Sequence, residues 1–373
     1  MPVSRRSFLS VLGGGVILAA GGGALFATTR TPTKALAPWA EAGQYADART
    51  FALSHAILAP NPHNLQPWMV SLDGADQVTL YRDPTRALPH TDPYDRQITI
   101  GLGCFLEQMR IAATARGIRT ETNLVLEGDV VARVTFYDEG IATDPLFAAI
   151  PHRRTTKEPF DMAQPVAAAD IPRLNPDIAG IRFDGTADSA KVAELRDIAW
   201  QAWLIEYETP HTLQESIDVM RLGKAEIEAN PDGIDLGGPF LEGLMVAGML
   251  TRDDLGTPGT QSYQAGYDIY QPLFTATPAF VWITSPGNSR TDQIAAGAAW
   301  LRLNLGTTAA GMALHPVSQA LQEYPEMTAQ YDRIHGLLAR DGETVQMLGR
   351  LGYAAPVPQT PRWSLDAKLR SSV

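Results

Sequence analysis

His152, Arg153, Arg154, Thr155, Thr156 and Lys157 place three cations that keep their charge at neutral pH beside two hydroxyls within six residues. Arginine can grip a phosphate with two parallel N–H bonds, lysine adds a point charge, and threonine hydroxyls donate to the remaining oxygens. A solvated basic turn ahead of a strand would have the same composition, so the cluster gains meaning only in company. That company lies in Pro60, Asn61, Pro62, His63, Asn64, Leu65, Gln66, Pro67 and Trp68. Asn64 and Gln66 carry both donors and acceptors and so suit the edge of a heterocycle whose carbonyls alternate with N–H groups. The surrounding prolines lower the ordering cost of holding them. Taken alone, the same amides in a proline-rich loop are turn chemistry.

Other chemistries are poorly represented. The seven histidines include no HExxH pair, and the single cysteine, Cys104, removes intramolecular disulfides and multi-thiolate metal sites. Leu102, Phe105 and Met109 flank Cys104 at helical spacing, so it reads as a buried structural thiol. Gly101-Leu102-Gly103 lacks the third glycine of a dinucleotide fingerprint, and neither a Walker loop nor a GxSxG elbow occurs. A formal net charge of -11 argues against nucleic acid or an anionic membrane surface as the main partner.

With 373 residues, 45% of them hydrophobic, the chain has material for two domain-sized units. Asp47 to Leu58 reads as a helix ended by Pro60 and Pro62. Strand signals follow at Met69 to Leu72 and Val78 to Tyr81, a helix at Gly101 to Arg116, then strands at Thr122 to Leu126 and Val131 to Phe136. This order indicates a mixed α/β (α+β) layer. Gly103 to Gly117 and Gly297 to Gly311 enclose alanine-rich helices of equal length, which fits two related half-domains; alanine-rich helices ending in glycine are also common enough to coincide. The segment from Tyr207 to Gln271 has no counterpart in the first half and reads as an insertion of lid type.

A flavin mononucleotide needs cations for its phosphate, polar groups for its ring edge and one open ring face, and these clusters supply candidates for the first two. Asn64, Leu65, Gln66, Pro67, Trp68 after an Ala-Pro helix end resembles the loop of the nitroreductase family, with Asn61 where that family commonly has serine. Arg153, Thr155 and Lys157 resemble the family's Arg, Ser, Lys set, with Arg154 beside it. Gly311, Met312, Ala313, Leu314, His315, Pro316, Val317 and Ser318 resemble its turn beneath the flavin ring, and Arg362 its late phosphate-closing arginine. The resemblance implies FMN as cofactor, with NAD(P)H as a candidate electron donor. It also implies a site made by Pro60, Asn61, His63, Asn64, Gln66, Arg153, Arg154, Thr155, Lys157, Leu314 to Ser318 and Arg362, with no metal and no catalytic side chain beyond the flavin. The loop lies in one half and the cations in the other, which is the pattern of the Acg group of nitroreductase-like proteins. A monomeric pseudo-dimer with a nitroreductase-like fold follows: 38–150 as one half, 151–373 as the other, and the insertion at 207–271 as its lid.

Ser4, Arg5, Arg6, Ser7, Phe8 and Leu9 precede an uncharged apolar run from Val11 to Ala27, the layout of an export signal. The paired arginines resemble the twin-arginine signal, whose export machinery carries folded, cofactor-loaded proteins, so residues 1–37 are expected to be a signal and the location periplasmic or otherwise extracytoplasmic. Cleavage after Ala35-Leu36-Ala37 and retention as a membrane anchor both fit the run. The expected activity is reduction of electron-poor small molecules, nitroarenes or quinones, by alternate reduction and oxidation of the flavin. The alternative is a protein that binds and sequesters flavin under a closed lid without turnover.

Overall fold

The computed structural model describes residues 29–370. The expected export signal at the N-terminus lies mainly outside the described residues. Helix α1 (Thr33–Glu41) leads into α2 (Ala48–Ala56), whose N-terminus is capped by Asp47 accepting from the Arg49 and Thr50 amides. Strands β1 (Trp68–Asp73) and β2 (Gln77–Arg82) form a hairpin, followed by α3 (Arg96–Thr114), β3 (Ile118–Glu127) and β4 (Val130–Asp138). Helix α3 begins earlier than the apolar periodicity predicts. The Asp92 carboxylate accepts from the Gln97 and Ile98 amides and satisfies the first turn from a position outside the periodic stretch.

The second part of the chain holds β5 (Arg182–Thr186), α4 (Ser189–Glu208), α5 (Pro210–Asp218), β6 (Met220–Leu222), α6 (Gly223–Ala229), β7 (Ile234–Leu236) and α7 (Pro239–Val246). It continues with α8 (Arg252–Gly256), α9 (Gln261–Thr275), β8 (Ala279–Ser285), α10 (Arg290–Ala309) and β9 (Ala313–Pro316). It closes with α11 (Thr328–Leu338), β10 (Thr344–Gly352) and α12 (Leu365–Lys368).

Two four-stranded antiparallel sheets result, in the orders β1-β2-β4-β3 and β5-β8-β10-β9. Numbered within each sheet, both orders read first, second, fourth, third. In both, a long helix, α3 or α10, connects the second strand to the third. Where β1 and β2 are joined by a tight turn, β5 and β8 are separated by α4 to α9, so the large insertion falls at one defined place in a repeated plan.

Helices α3 and α10 pack side by side between the sheets. A Cβ on Gly297 would collide with the Ile100 carbonyl and the backbone of Gly103, and one on Gly103 with the Ile294 carbonyl. The two glycines that match in sequence therefore touch in space and let the helix backbones come together. Cys104 sits in this seam with its thiol donating to the Gly297 carbonyl, and burial pushes that thiol up to about 12, so it is an inert core group.

Strand β8 is buried along its whole length: Ala279, Val281 and Ile283 join the core around α3 and α10, while Phe280 and Trp282 join a second core with α4 and α11. After β10 the chain crosses back over the first sheet. Trp39 Nε1 donates to the Thr360 carbonyl, the Arg362 amide to Ala35, and the Arg370 amide to Val70. Ala35, Leu36 and Ala37 lie within α1, and Ala35 is 2% exposed. Among the described residues no helix is long and apolar enough to cross a membrane.

Candidate functional site

A cavity of about 310 Å³ opens between the two sheets and the inserted helices. Its wall is drawn from α1, the 60–64 loop, α3, the 153–157 segment, the α4 to β7 insertion, the β9 turn and the C-terminal arm. Of the residues predicted from sequence, Pro60, Asn61, His63, Asn64, Arg153, Arg154, Thr155, Lys157, His315, Pro316, Ser318 and Arg362 line it. Gln66, Leu314 and Val317 do not.

The 60–66 loop owes its shape to strained backbone. His63, Asn64 and Gln66 all have positive φ (47°, 55° and 53°), which costs L-residues about 1–2 kcal/mol each and persists only where surroundings impose it. Asn61 Oδ1 accepts from the Gln66 amide at 2.7 Å and Asn61 Nδ2 donates to Ala59 at 3.1 Å. Asn64 Nδ2 donates to the Pro361 carbonyl, and Asn64 Oδ1 accepts from Arg362. Gln66 Nε2 donates to the Pro231 carbonyl at 2.7 Å, while its Oε1 accepts from the Trp363 amide at 2.9 Å.

Gln66, expected at the ring edge, lies outside the cavity lining, with its side-chain amide bonded within the protein. Its amide is fully buried and bonds the insertion to the C-terminal arm. The side chains of Leu314 and Val317 are core, the Leu314 carbonyl accepts from the Thr156 amide, and the Val317 amide donates to the Leu348 carbonyl.

At one end of the cavity stand three guanidiniums. Arg153 Nη2 donates to Leu58 at 3.1 Å, and Arg362 Nη2 to Leu58 and Ala59 at 3.3 and 3.4 Å, so both are held by carbonyls just past the C-terminus of α2. Arg154 lies over the Trp39 ring at 4.6 Å and Arg362 over the same ring at 5.6 Å. Among the described residues none of the three forms an ion pair with a carboxylate. The Nε of Arg154 and that of Arg362 are buried without a partner. Burial, then repulsion from the neighbouring guanidinium, lowers Arg153 to about 10 and Arg362 to about 9, the latter against partial compensation from Asp235, and burial lowers Arg154. Three clustered, desolvated cations with orphaned donors make a site electrostatically suited to an anion.

At the middle of the cavity are Lys157, His63 and His315. The Lys157 ammonium is exposed to the cavity and makes no hydrogen bond among the described residues. Burial, then Lys157, pushes His63 down to about 4, and its Nδ1 is buried without a partner. His315 is 5% exposed, and burial, Arg350 and Lys157 hold it well below the ordinary histidine range. Its Nδ1 accepts from Arg350, which places the proton of the neutral ring on Nε2, at the cavity.

The far wall belongs to the insertion and its root: Trp203, Glu206 and Tyr207 of α4, Leu213 and Ser216 of α5, Met220, Gly233 to Asp235, and Tyr270 of α9. This segment is pinned shut at two places. Asp232, 3% exposed, accepts from Arg86, from Arg221 at 2.7 Å and from Trp363 Nε1 at 2.7 Å. Glu215 accepts from the His90 and Thr91 amides, each at 2.8 Å.

No protein-family profile matches this chain. An uncharacterised Mycobacterium tuberculosis protein, Rv3127, is 27% identical over 349 residues, covering 85% of this chain and 92% of that protein. Two more proteins of that organism carry provisional names as NAD(P)H nitroreductases. Rv3131 is 25% identical over 344 residues (86% of this chain, 91% of that protein), and Acg is 26% identical over 341 residues (84% and 93%). Among solved structures, the FMN-dependent nitroreductase NfnB of Mycobacterium smegmatis in complex with NADPH overlaps 60% of this chain and 96% of its own, at 19% identity and a TM-score of 0.36. An overlap at that score transfers no function.

Three cavity residues, Trp39, Glu206 and Gln322, and Arg350, which holds His315 from behind, escape sequence reading. Arg350 is the one charged residue in the β10 run Val345 to Gly352, and that isolation is its signal. Glu206 shares a helical face with Trp203, three residues away, in a run rich in aromatics. Trp39 and Gln322 carry no local signal, since their partners come from distant parts of the chain.

Proposed function

We propose that this chain is an exported FMN-dependent oxidoreductase of nitroreductase type, folded as a fused pseudo-dimer with one flavin site between its halves. The observation that carries the reading is the trio Arg153, Arg154 and Arg362, two buried and one half-buried and none ion-paired with a carboxylate among the described residues, at one end of a cavity whose middle presents Lys157 and the His315 Nε2–H. The orphaned Nε atoms at Arg154 and Arg362 fit a phosphate, which offers several acceptor oxygens at once. Thr155 lines the same end and adds a hydroxyl. Bound FMN supplies reversible two-electron chemistry. Lys157 and His315 place positive charge and a fixed N–H where a ring would lie, an environment that favours negative charge on the bound group. The matching strand orders of the two sheets and the Gly103 to Gly297 contact support the pseudo-dimer, with halves near 38–150 and 151–373. The nitroreductase names of two relatives support the activity class, with NAD(P)H as donor and an electron-poor nitroarene or quinone as acceptor. Arg5-Arg6 and the apolar run to Ala27 support twin-arginine export and an extracytoplasmic location, with the run either removed or kept as an anchor.

A second reading, flavin sequestration without turnover, is favoured by the pinned insertion: Asp232 and Glu215 hold the cavity wall closed through buried bonds. Stopped-flow mixing of the flavin-loaded protein with NADH and NADPH separates the two. Bleaching of the flavin band followed by recovery on adding a nitroarene is expected for the oxidoreductase. A flavin that only dithionite reduces supports sequestration, and protein that takes up no flavin defeats both.

A further inference from the structure

The end of the cavity opposite the guanidiniums has a different chemistry. Trp203 stacks with Tyr207 at 4.6 Å and with Tyr270 at 4.8 Å, and all three rings line the cavity. Glu206 stands between Trp203 and Tyr207 in sequence and faces the same space. Its Oε2 accepts from Gln322 Nε2 at 2.7 Å, and its Oε1 has no protein partner among the described residues. That bond fixes the Gln322 amide so that its oxygen is left over, and Gln322 Oε1, on a residue 5% exposed, is indeed without a partner. A buried acceptor without a partner, Gln322 Oε1, and a carboxylate oxygen open to the cavity, Glu206 Oε1, therefore stand at the edge of an aromatic wall. A buried acceptor left unpaired is costly, and a ligand bringing N–H or O–H groups would relieve Gln322 Oε1 while bonding the open Glu206 oxygen.

We propose that Glu206, with Gln322, determines specificity at an acceptor-side subsite, where a flat aromatic molecule lies against Trp203, Tyr207 and Tyr270 and donates an amino or hydroxyl hydrogen to the Glu206 carboxylate. The subsite's role as the acceptor's seat rests on the oxidoreductase reading; its binding preference needs no flavin. Neutral aromatic amines and phenols are accepted, and aromatic carboxylates are turned away by like charge.

The groups facing Glu206 are Gln322, Lys157 from the basic segment, Glu215 of α5, and Tyr324 beyond it. Burial raises the carboxyl most, Glu215 adds to that, Gln322 and Lys157 oppose it, and the balance is about 7. Discrimination should therefore switch on across neutrality, as the carboxyl loses its proton and becomes a charged acceptor.

The test uses the flavin-free full chain, with inorganic phosphate in excess to fill the guanidinium end, and follows quenching of tryptophan fluorescence by 4-nitroaniline and 4-nitrobenzoate. Neither probe titrates between about pH 5 and 9. From pH 5.5 to 8.5, 4-nitroaniline should bind about five-fold tighter and 4-nitrobenzoate at least as much weaker, as expected for gaining a charged hydrogen-bond acceptor. Glu206→Gln should flatten both curves. Gln322→Leu, which removes the donor that favours the carboxylate, should move their midpoint to higher pH, and it serves if the first variant does not fold. Curves that keep their slope in Glu206→Gln, an unmoved midpoint in Gln322→Leu, or a wild type without pH dependence would overturn the proposal. Flavin uptake, measured separately, distinguishes the failures: a coloured protein with flat curves overturns only the subsite, and a colourless one with the expected curves overturns only the flavin reading.

Discussion

Arg350 and His315 face each other across the β9 and β10 pair, and Arg350 donates to His315 Nδ1 from Nη2 at 2.8 Å and from Nε at 3.1 Å. The arginine is fully buried, stacked on Phe160 at 4.4 Å and surrounded by the Leu273, Thr156 and Glu158 carbonyls and the Thr277 hydroxyl. A guanidinium cannot accept a hydrogen bond, so His315 Nδ1 must, and the ring is locked neutral with its proton on Nε2.

Replacing Arg350 by Met should release that lock. In ¹⁵N NMR the wild-type His315 should show one tautomer with no titration between about pH 5 and 8, whereas the variant should mix tautomers and titrate closer to the ordinary histidine range. Loss of the donors to several buried carbonyls should also cost about 3 kcal/mol of stability. A His315 that titrates normally in the wild type would contradict the assignment.

Arg153→Ala should weaken binding of FMN far more than binding of riboflavin, because only FMN carries the phosphate. A lost charge-assisted contact of about 1.5–3 kcal/mol corresponds to about ten- to a hundred-fold in affinity. Calorimetry with both ligands checks this, and equal losses for the two would place the phosphate elsewhere.

How far the site can be read from sequence depends on how local its parts are. Arg153 to Lys157 is contiguous and stands out in an acidic chain, and Arg153, Arg154, Thr155 and Lys157 line the cavity. The Asn64 loop is also at the cavity, but the use of its amides was not legible, because Gln66 bonds Pro231 and Trp363, both more than a hundred residues away. The strand signals at Met69 to Leu72 and Val78 to Tyr81 fall within β1 and β2, since a short β-prone run is a local property. The start of α3 depends on Asp92, a cap that reaches in from outside the periodic run. Arg350 and Glu206 act through neighbours that only folding assembles.

Asp232→Asn should loosen the insertion. Burial alone would raise this carboxyl, but Arg86, Trp363 and Arg221 outweigh it and hold it below the ordinary aspartate range. The stabilisation it gives is therefore complete above the unfolded-state value near pH 4 and fades as pH falls through the lower folded value. At neutral pH the variant should open to proteolysis within residues 207–271 and exchange bound ligand faster, with a stability loss of about 2–4 kcal/mol. Unchanged cleavage rates would mean that Glu215 alone holds the segment.

Gly297→Ala should strain the contact between the two repeated parts. The added methyl would meet the Ile100 carbonyl and the Gly103 backbone, neither of which can rotate away, so α3 and α10 must separate. Overpacking of this kind costs about 1–3 kcal/mol. A lower melting temperature with slower cavity ligand binding is the expected result, because the cavity lies between the parts these helices join. A variant as stable as the wild type would show that the seam relaxes at no cost.

Lys368 supplies the last test, because it holds the strained loop from beneath. Its Nζ is buried and donates to the Gln66 carbonyl at 2.9 Å. Burial and Arg86 push it down to about 7, against partial compensation from Asp83 and Asp232. Between that value and the ordinary lysine value near 10.4, the unfolded chain binds more protons at this residue than the folded chain does. Stability contributed through Lys368 must then rise as pH rises across that window, the reverse of the trend for a lysine in an ion pair. Urea unfolding at a series of pH values should show that rise in the wild type and a flatter profile in Lys368→Met. If the two profiles run parallel, the ammonium is solvated in the folded protein and the loop is held by its other bonds alone.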